Sequence, residues 1–173
     1  MTTADTLLTT YHNMLGSLDG WLAKAADHPL GDALLEQKLA EDMFPLARQI
    51  RFCCNLPGDA MNATSGVAFG PSDIDDASIA EARTRIAATR TMIDGWRTVT
   101  LAADDAPVIL TLANGMTFDL TTESYVRDWA LPQFYFHLMT AYAILRAKGV
   151  PLGKIDYVGY MIAFMRQPTA TTT

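Results

Sequence analysis

The sequence predicts a mainly α-helical chain, a four-helix bundle with one small inserted β-hairpin. Three observations predict it. Four stretches repeat apolar residues at steps of three and four, which lines them along one stripe of a helix with about 3.6 residues per turn. Segments rich in proline, glycine and aspartate separate these stretches. Between the third and fourth, Asn114-Gly115 sits between two β-rich runs, the strongest short signal for a hairpin.

The first helix is expected over Asp5 to Ala26, with Leu7, Leu8, Tyr11, Met14, Leu15, Leu18, Trp21, Leu22 and Ala25 on its stripe. Gly16 and Gly20 weaken it, each by about 1 kcal/mol against alanine. His28-Pro29-Leu30-Gly31-Asp32 ends it, and a short helical piece follows over Ala33 to Leu39. The second helix is expected from Asp42, which stands as its N-cap, with Pro45 in the first turn. Its stripe is Met43, Leu46, Ala47, Ile50, Cys53, Cys54 and Met61, and Pro57-Gly58 should kink or end it. Thr64 to Ser72 carries turn chemistry. The acids Asp73, Asp75 and Asp76 suit the positive end of a third helix bearing Ile79, Ala82, Ile86, Ile93 and Trp96 and ending near Thr98.

The hairpin pairs Pro107–Leu112 with Met116–Leu120 around Asn114-Gly115, read as a type I′ turn with positive φ at both central residues. A lone hairpin is marginal in water, so it must pack on the bundle. The fourth helix is expected over Glu123 to Lys148, kinked or split at Pro132 and capped by Gly149. Its run Trp129 to Met139 is apolar nearly all round, as for a helix surrounded by protein. A short terminal helix over Asp156 to Phe164 follows. The expected organisation is a single domain over residues 1–166 and a disordered tail over 167–173.

Half the residues are hydrophobic and 18% are charged, the balance of a folded globular chain. A net charge of −6 repels phosphate backbones and argues against nucleic-acid binding. No apolar run reaches the roughly 18 residues of a membrane span, and the N-terminus lacks the pattern of a signal peptide. Adjacent Cys53 and Cys54 are read as reduced thiols, which fits a cytoplasmic location. The alternative, a vicinal dithiol holding a soft metal, is opposed by the angle of about 100° between neighbouring helical side chains. P-loop, dinucleotide, G-x-S-x-G and CxxC signatures are absent.

Three stretches carry a family resemblance: Leu39-Ala40-Glu41-Asp42-Met43-Phe44-Pro45-Leu46-Ala47-Arg48-Gln49-Ile50; Pro132-Gln133-Phe134-Tyr135-Phe136-His137 with Ala141-Tyr142-Ala143-Ile144-Leu145-Arg146; and Gly149-Val150-Pro151-Leu152-Gly153-Lys154-Ile155-Asp156. Together they resemble the DUF1993 family, which is similar to the DinB/YfiT-like superfamily. The resemblance implies an up-down-down-up four-helix bundle and a homodimer. Many DinB-like relatives hold a divalent metal with three histidines, and some are thiol-dependent transferases or isomerases. The DUF1993 name itself brings no activity.

The chain departs from that metal pattern. It has three histidines, His12, His28 and His137, and the positions one turn from His137 are Gln133 and Ala141. His28 falls in the Pro-Gly break as a solvated loop residue, and His12 sits at the edge of the first stripe. His137 is the leading candidate: it shares a face with Ala130, Ala141 and Ile144, and Gln133 and Thr140 flank it. It is either a core histidine with its hydrogen bonds satisfied or a general base or ligand in a small pocket. Asp42, Gln49 and Cys53 share one edge of the second helix; Asp42 is the candidate proton acceptor or ligand, or simply a cap. Tyr142 completes the pocket set of Gln49, Gln133 and Thr140. Arg146 opposes the dipole of the fourth helix, and Lys154 with Asp156 ties the terminal loop to the bundle.

Arg83, Arg90 and Arg97, a heptad apart on the third helix, either bind a carboxylate or phosphate or pair with neighbouring acids. Two functions follow. The first is a bundle without cofactor that binds a small molecule or a partner. The second is a metal-dependent transferase or hydrolase, with zinc or nickel on His12 and His137 and with Asp42 beside them. The second requires those three side chains to converge.

Overall fold

The computed structural model describes residues 2–166; the stretch 167–173, expected as a disordered tail, lies outside the described residues. The first helix spans Thr3–Ala26. Thr2 and Asp5 form a reciprocal capping box: the Thr2 hydroxyl accepts from the Asp5 amide at 3.1 Å, and the Thr2 amide donates to the Asp5 carboxylate at 2.9 Å. All nine predicted stripe residues are buried. The break and a short 3-10 turn, Gly31–Glu36, follow, with Leu34 and Leu35 sunk into the core.

The second helix spans Leu46–Ser65 and begins later than expected. Pro45 occupies the N-cap position, and the Leu46 amide donates to the Gln37 carbonyl at 2.9 Å. The loop backbone thus supplies the acceptor that Asp42 was expected to supply as a side chain. The helix also runs through Pro57-Gly58 instead of ending there. Gly58 lies under the ring of Phe69, where a Cβ would stand 2.3 Å from ring carbons. The glycine is thus a packing device for the returning loop, and Gly66, at φ +71°, ends the helix.

That loop is pinned throughout. Asn55 copies a backbone pairing, donating to the Ser72 carbonyl at 2.7 Å and accepting from its amide at 3.1 Å. Asp75 lies between Arg48 at 3.1 Å and Arg51 at 3.0 Å, and Asp76 takes Arg85 through two nitrogens. These acids therefore hold arginines rather than the helix dipole. Capping of the third helix, Ile79–Gly95, falls to Ser78, while Asp32 accepts from the Ile79 amide at 2.8 Å.

Strands β1 (Pro107–Thr111) and β2 (Thr117–Thr121) pair antiparallel, Ile109 opposite Asp119. The turn differs from the expected type. Leu112 closes on Met116, the Gly115 amide donates to the Leu112 carbonyl, and Gly115 alone has positive φ. A three-residue loop ending in a left-handed glycine places the strain on one residue, so Asn114 keeps an ordinary φ. Val108 is buried and Leu110 and Leu120 pack on the core, so the hairpin does lean on the bundle.

The fourth helix enters through one α turn, Thr122–Ser124, and a π-helical segment, Tyr125–Ala130, before the regular span Leu131–Ala147. Pro132 has no amide hydrogen, and the widened segment stands directly ahead of it. The expectation of a helix enclosed by protein is corrected here. Phe134, Leu138, Ala141, Ile144 and Leu145 are buried, whereas Phe136 and Met139 are 56% and 41% exposed. Gly149, at φ +92°, follows the helix as expected.

The first helix packs chiefly on the third and the second on the fourth. A terminal segment, Lys154–Tyr157 and Gly159–Phe164, folds back over the first helix. Among the described residues no helix is long and apolar enough to cross a membrane.

Candidate functional site

His137 lies on the seam between the second and fourth helices. Its Nδ1 is 2.8 Å from Oε1 of Gln49. Gln49 is fully buried and its Nε2 donates to the Phe44 carbonyl at 3.1 Å, which turns the amide oxygen toward the imidazole. The proton of a neutral ring therefore sits on Nδ1, leaving the Nε2 lone pair without a hydrogen. The Phe52 ring covers the imidazole at 4.5 Å between centroids, and Phe136 meets it edge-on. Burial among these rings pushes the His137 pKa down to about 4, so the ring is neutral near pH 7.

The other predicted site residues spread out. Thr140 is buried and returns its hydroxyl to the Phe136 carbonyl at 2.7 Å. Gln133 faces a shallow hollow beside Trp129, Pro132 and Phe136. Tyr142 packs on Trp21 and Tyr157, on the first helix and the terminal segment. Asp42 is exposed in the turn before the second helix, while Cys53 is buried with its thiol pKa raised by burial. The structure joins Gln49 to His137, and the expected edge shared by Asp42, Gln49 and Cys53 does not form.

His12 belongs to the opposite seam, between the first and third helices, where its Nε2 is 3.4 Å from Asp94. Burial, and then the nearby Arg90, lower its pKa. His28 accepts from the Leu30 amide through Nδ1 and serves the loop. A DinB-like metal needs three or four donors on one point. Among the described residues no three His, Cys, Asp or Glu side chains gather into such a group. His12, His137 and Asp42 therefore do not fit that ion.

The sequence reasoning missed a cleft of about 470 Å³ where the first helix, the third helix and the terminal segment meet. Asn13, Gly16, Ser17, Gly20 and Trp21 form one wall, Arg90 another, and Ile155, Tyr160 and Ile162 a third. The segment is fastened by side chains of the first helix: Ser17 donates to the Tyr157 carbonyl at 2.9 Å, Trp21 to the Asp156 carbonyl at 3.0 Å, and Lys24 to the Asp156 carboxylate at 2.6 Å. That carboxylate also accepts from the Gly153 amide, and Lys24 and these bonds hold its pKa below the usual range. Asp156 is thus the expected tie, with Lys24 as its partner in place of Lys154. The legible signal was Gly16 and Gly20, one turn apart, of which Gly16 lies against Arg90.

Elsewhere, burial raises the Asp59 carboxyl, lifts the Tyr125 phenol to about 12 and leaves the Tyr11 hydroxyl without a partner among the described residues.

No curated protein matches the chain. Among solved structures, a DinB family member protein from Shewanella denitrificans is similar over 95% of each chain, at 29% identity and a TM-score of 0.77. The bundle is accordingly DinB-like in fold. Residues 4–158 match a family described as a domain of unknown function, DUF1993. A match over that span, with a DinB-like fold around it, shows that the chain belongs to the DUF1993 family.

Proposed function

We propose that this chain is a small-molecule-binding bundle that works without a resident metal, with its ligand seated in the cleft over the first helix. One observation carries the reading. The cleft has the size of a ligand site, and an apolar wall of Ile155, Tyr160 and Ile162 faces a few polar groups, Asn13, Ser17 and Arg90. The scattered histidines support it from the other side, because among the described residues a donor set for a DinB-like ion does not come together. The reading keeps the chain cytoplasmic and includes a homodimer, which the exposed Phe136 and Met139 support.

The test is a thermal-shift screen of small organic molecules on the wild type and on Gly20→Phe. A Cβ at Gly20 meets nothing within 4 Å, so the new ring enters the cleft without disturbing the core. Compounds that bind the native cleft raise the wild-type melting temperature and lose that effect in the variant. Equal shifts in both proteins would place the ligand elsewhere. In parallel, protein incubated with zinc, nickel and manganese and then desalted is expected to retain far less than one metal per chain. Stoichiometric metal, lost in His137→Ala, would restore the metalloenzyme centred on His137.

A further inference from the structure

The third helix carries three arginines a heptad apart, and the structure treats the middle one differently. Arg83 forks onto Asp19 at 2.7 and 3.2 Å. Arg97 donates to Asp94 at 3.1 Å. Arg90, between them, forms no ion pair among the described residues, and its Nε is buried without an acceptor. Its guanidinium lies against the first helix at Gly16, where a Cβ would stand 3.3 Å from it. The acid one turn along, Asp94, already serves Arg97 and His12.

A guanidinium stays charged at any pH a protein survives, and its donors lose free energy when shielded from water without acceptors. Arg90 borders the cleft, and its two terminal nitrogens, which are not sealed in with Nε, have no acceptor among the described residues, so a ligand in the cleft can supply one. The other cation there, Lys24, is committed to Asp156 at 2.6 Å. Among the described residues the cleft therefore offers one uncommitted positive charge beside an apolar wall. A planar fork matches a carboxylate through two parallel hydrogen bonds. The wall of Ile155, Tyr160 and Ile162 has no use for a bare anion, but it suits an apolar body.

We infer that the cleft takes an amphipathic monocarboxylate, its head on Arg90 and its body against Tyr160 and Ile162. This rests on the cleft being the ligand site, and the experiment separates the two ideas. Hexanoate, hexanol and inorganic phosphate are titrated by calorimetry into the wild type, Arg90→Gln and Arg90→Lys. Hexanoate is expected to bind the wild type about tenfold or more tightly than hexanol, the worth of a charge-assisted hydrogen bond. Arg90→Gln brings hexanoate down to the level of hexanol and leaves hexanol unchanged. Arg90→Lys, which keeps the charge and loses the fork, falls between. Equal binding of hexanoate and hexanol by the wild type overturns the carboxylate and leaves the cleft. Phosphate binding as tight as hexanoate overturns the apolar body. Binding of neither organic probe overturns both ideas.

Discussion

Burial keeps the His137 imidazole neutral while the hydrogen bond to Gln49 fixes its tautomer, and the suppressed charge has a consequence for stability. Burial holds the folded pKa at about 4, while in the unfolded chain the ring titrates at the ordinary imidazole value of 6.5. Between those values the unfolded chain binds a proton that the folded chain refuses. The stability from this group is complete above the unfolded value, declines as the pH falls through the window, and is gone below the folded value. One proton sets the ceiling at about 1.4 kcal/mol per pH unit, and the half-exposed edge of the ring lowers it. Urea unfolding of the wild type and His137→Phe at pH 7 and pH 5 checks this. The wild type is expected to lose more stability than the variant over that interval. Equal losses would mean that the folded chain accepts the proton freely. His137 was legible as a candidate because an imidazole on an apolar helix is conspicuous. Its link to Gln49 was not, since nothing in either helix's periodicity states which residues face each other across a seam.

Whether a glycine breaks a helix or builds a contact is settled at the level of the element. The helix spans were legible because nine apolar residues at helical steps leave the first helix few other options. Pro57-Gly58 misled because local propensity speaks for a break, whereas the deciding contact comes from Phe69 in the returning loop. The start of the second helix misled similarly, since the Gln37 carbonyl supplies the acceptor that Asp42 was expected to provide. Alanine separates the two kinds of glycine. At exposed Gly20, where a Cβ meets nothing, Gly20→Ala should stabilise by about 0.5–1 kcal/mol through helix propensity. At Gly58 the same change drives a methyl to 2.3 Å from the Phe69 ring, and overpacking of this kind costs about 1–3 kcal/mol. Denaturant midpoints with unchanged m-values would read both. A stabilised Gly58→Ala would show that the loop holding Phe69 yields at no cost.

For the whole molecule, the cleft depends on the terminal segment, which folds back across the first helix and closes a space that the four helices alone leave open. Its short turns, Lys154–Tyr157 and Gly159–Phe164, have no buried stripe of their own, so periodicity could not announce where they dock. What docks them is a set of single bonds from Ser17, Trp21 and Lys24, and Asp156 takes part in two of the three with its carbonyl and its carboxylate. Asp156→Ala removes the Lys24 pair and the bond from the Gly153 amide while sparing the carbonyl that receives Trp21. A half-exposed ion pair contributes little to global stability, about 0.2–1 kcal/mol, so the melting temperature should fall only slightly. The segment's remaining anchors are the partly buried rings of Tyr157 and Tyr160 and the bonds from Ser17 and Trp21, so its local opening should become easier than unfolding of the bundle. Hydrogen exchange over residues 150–164 is then expected to accelerate severalfold, with the first half of the first helix unchanged. Affinity for a cleft ligand should drop together with that protection, because the walls formed by Ile155, Tyr160 and Ile162 move with the segment. If exchange accelerates while affinity holds, the terminal segment is a bystander and the ligand rests on the helices alone. If neither changes, the bonds from Ser17 and Trp21 suffice to close the cleft, and its shape is fixed by the bundle instead of by charge.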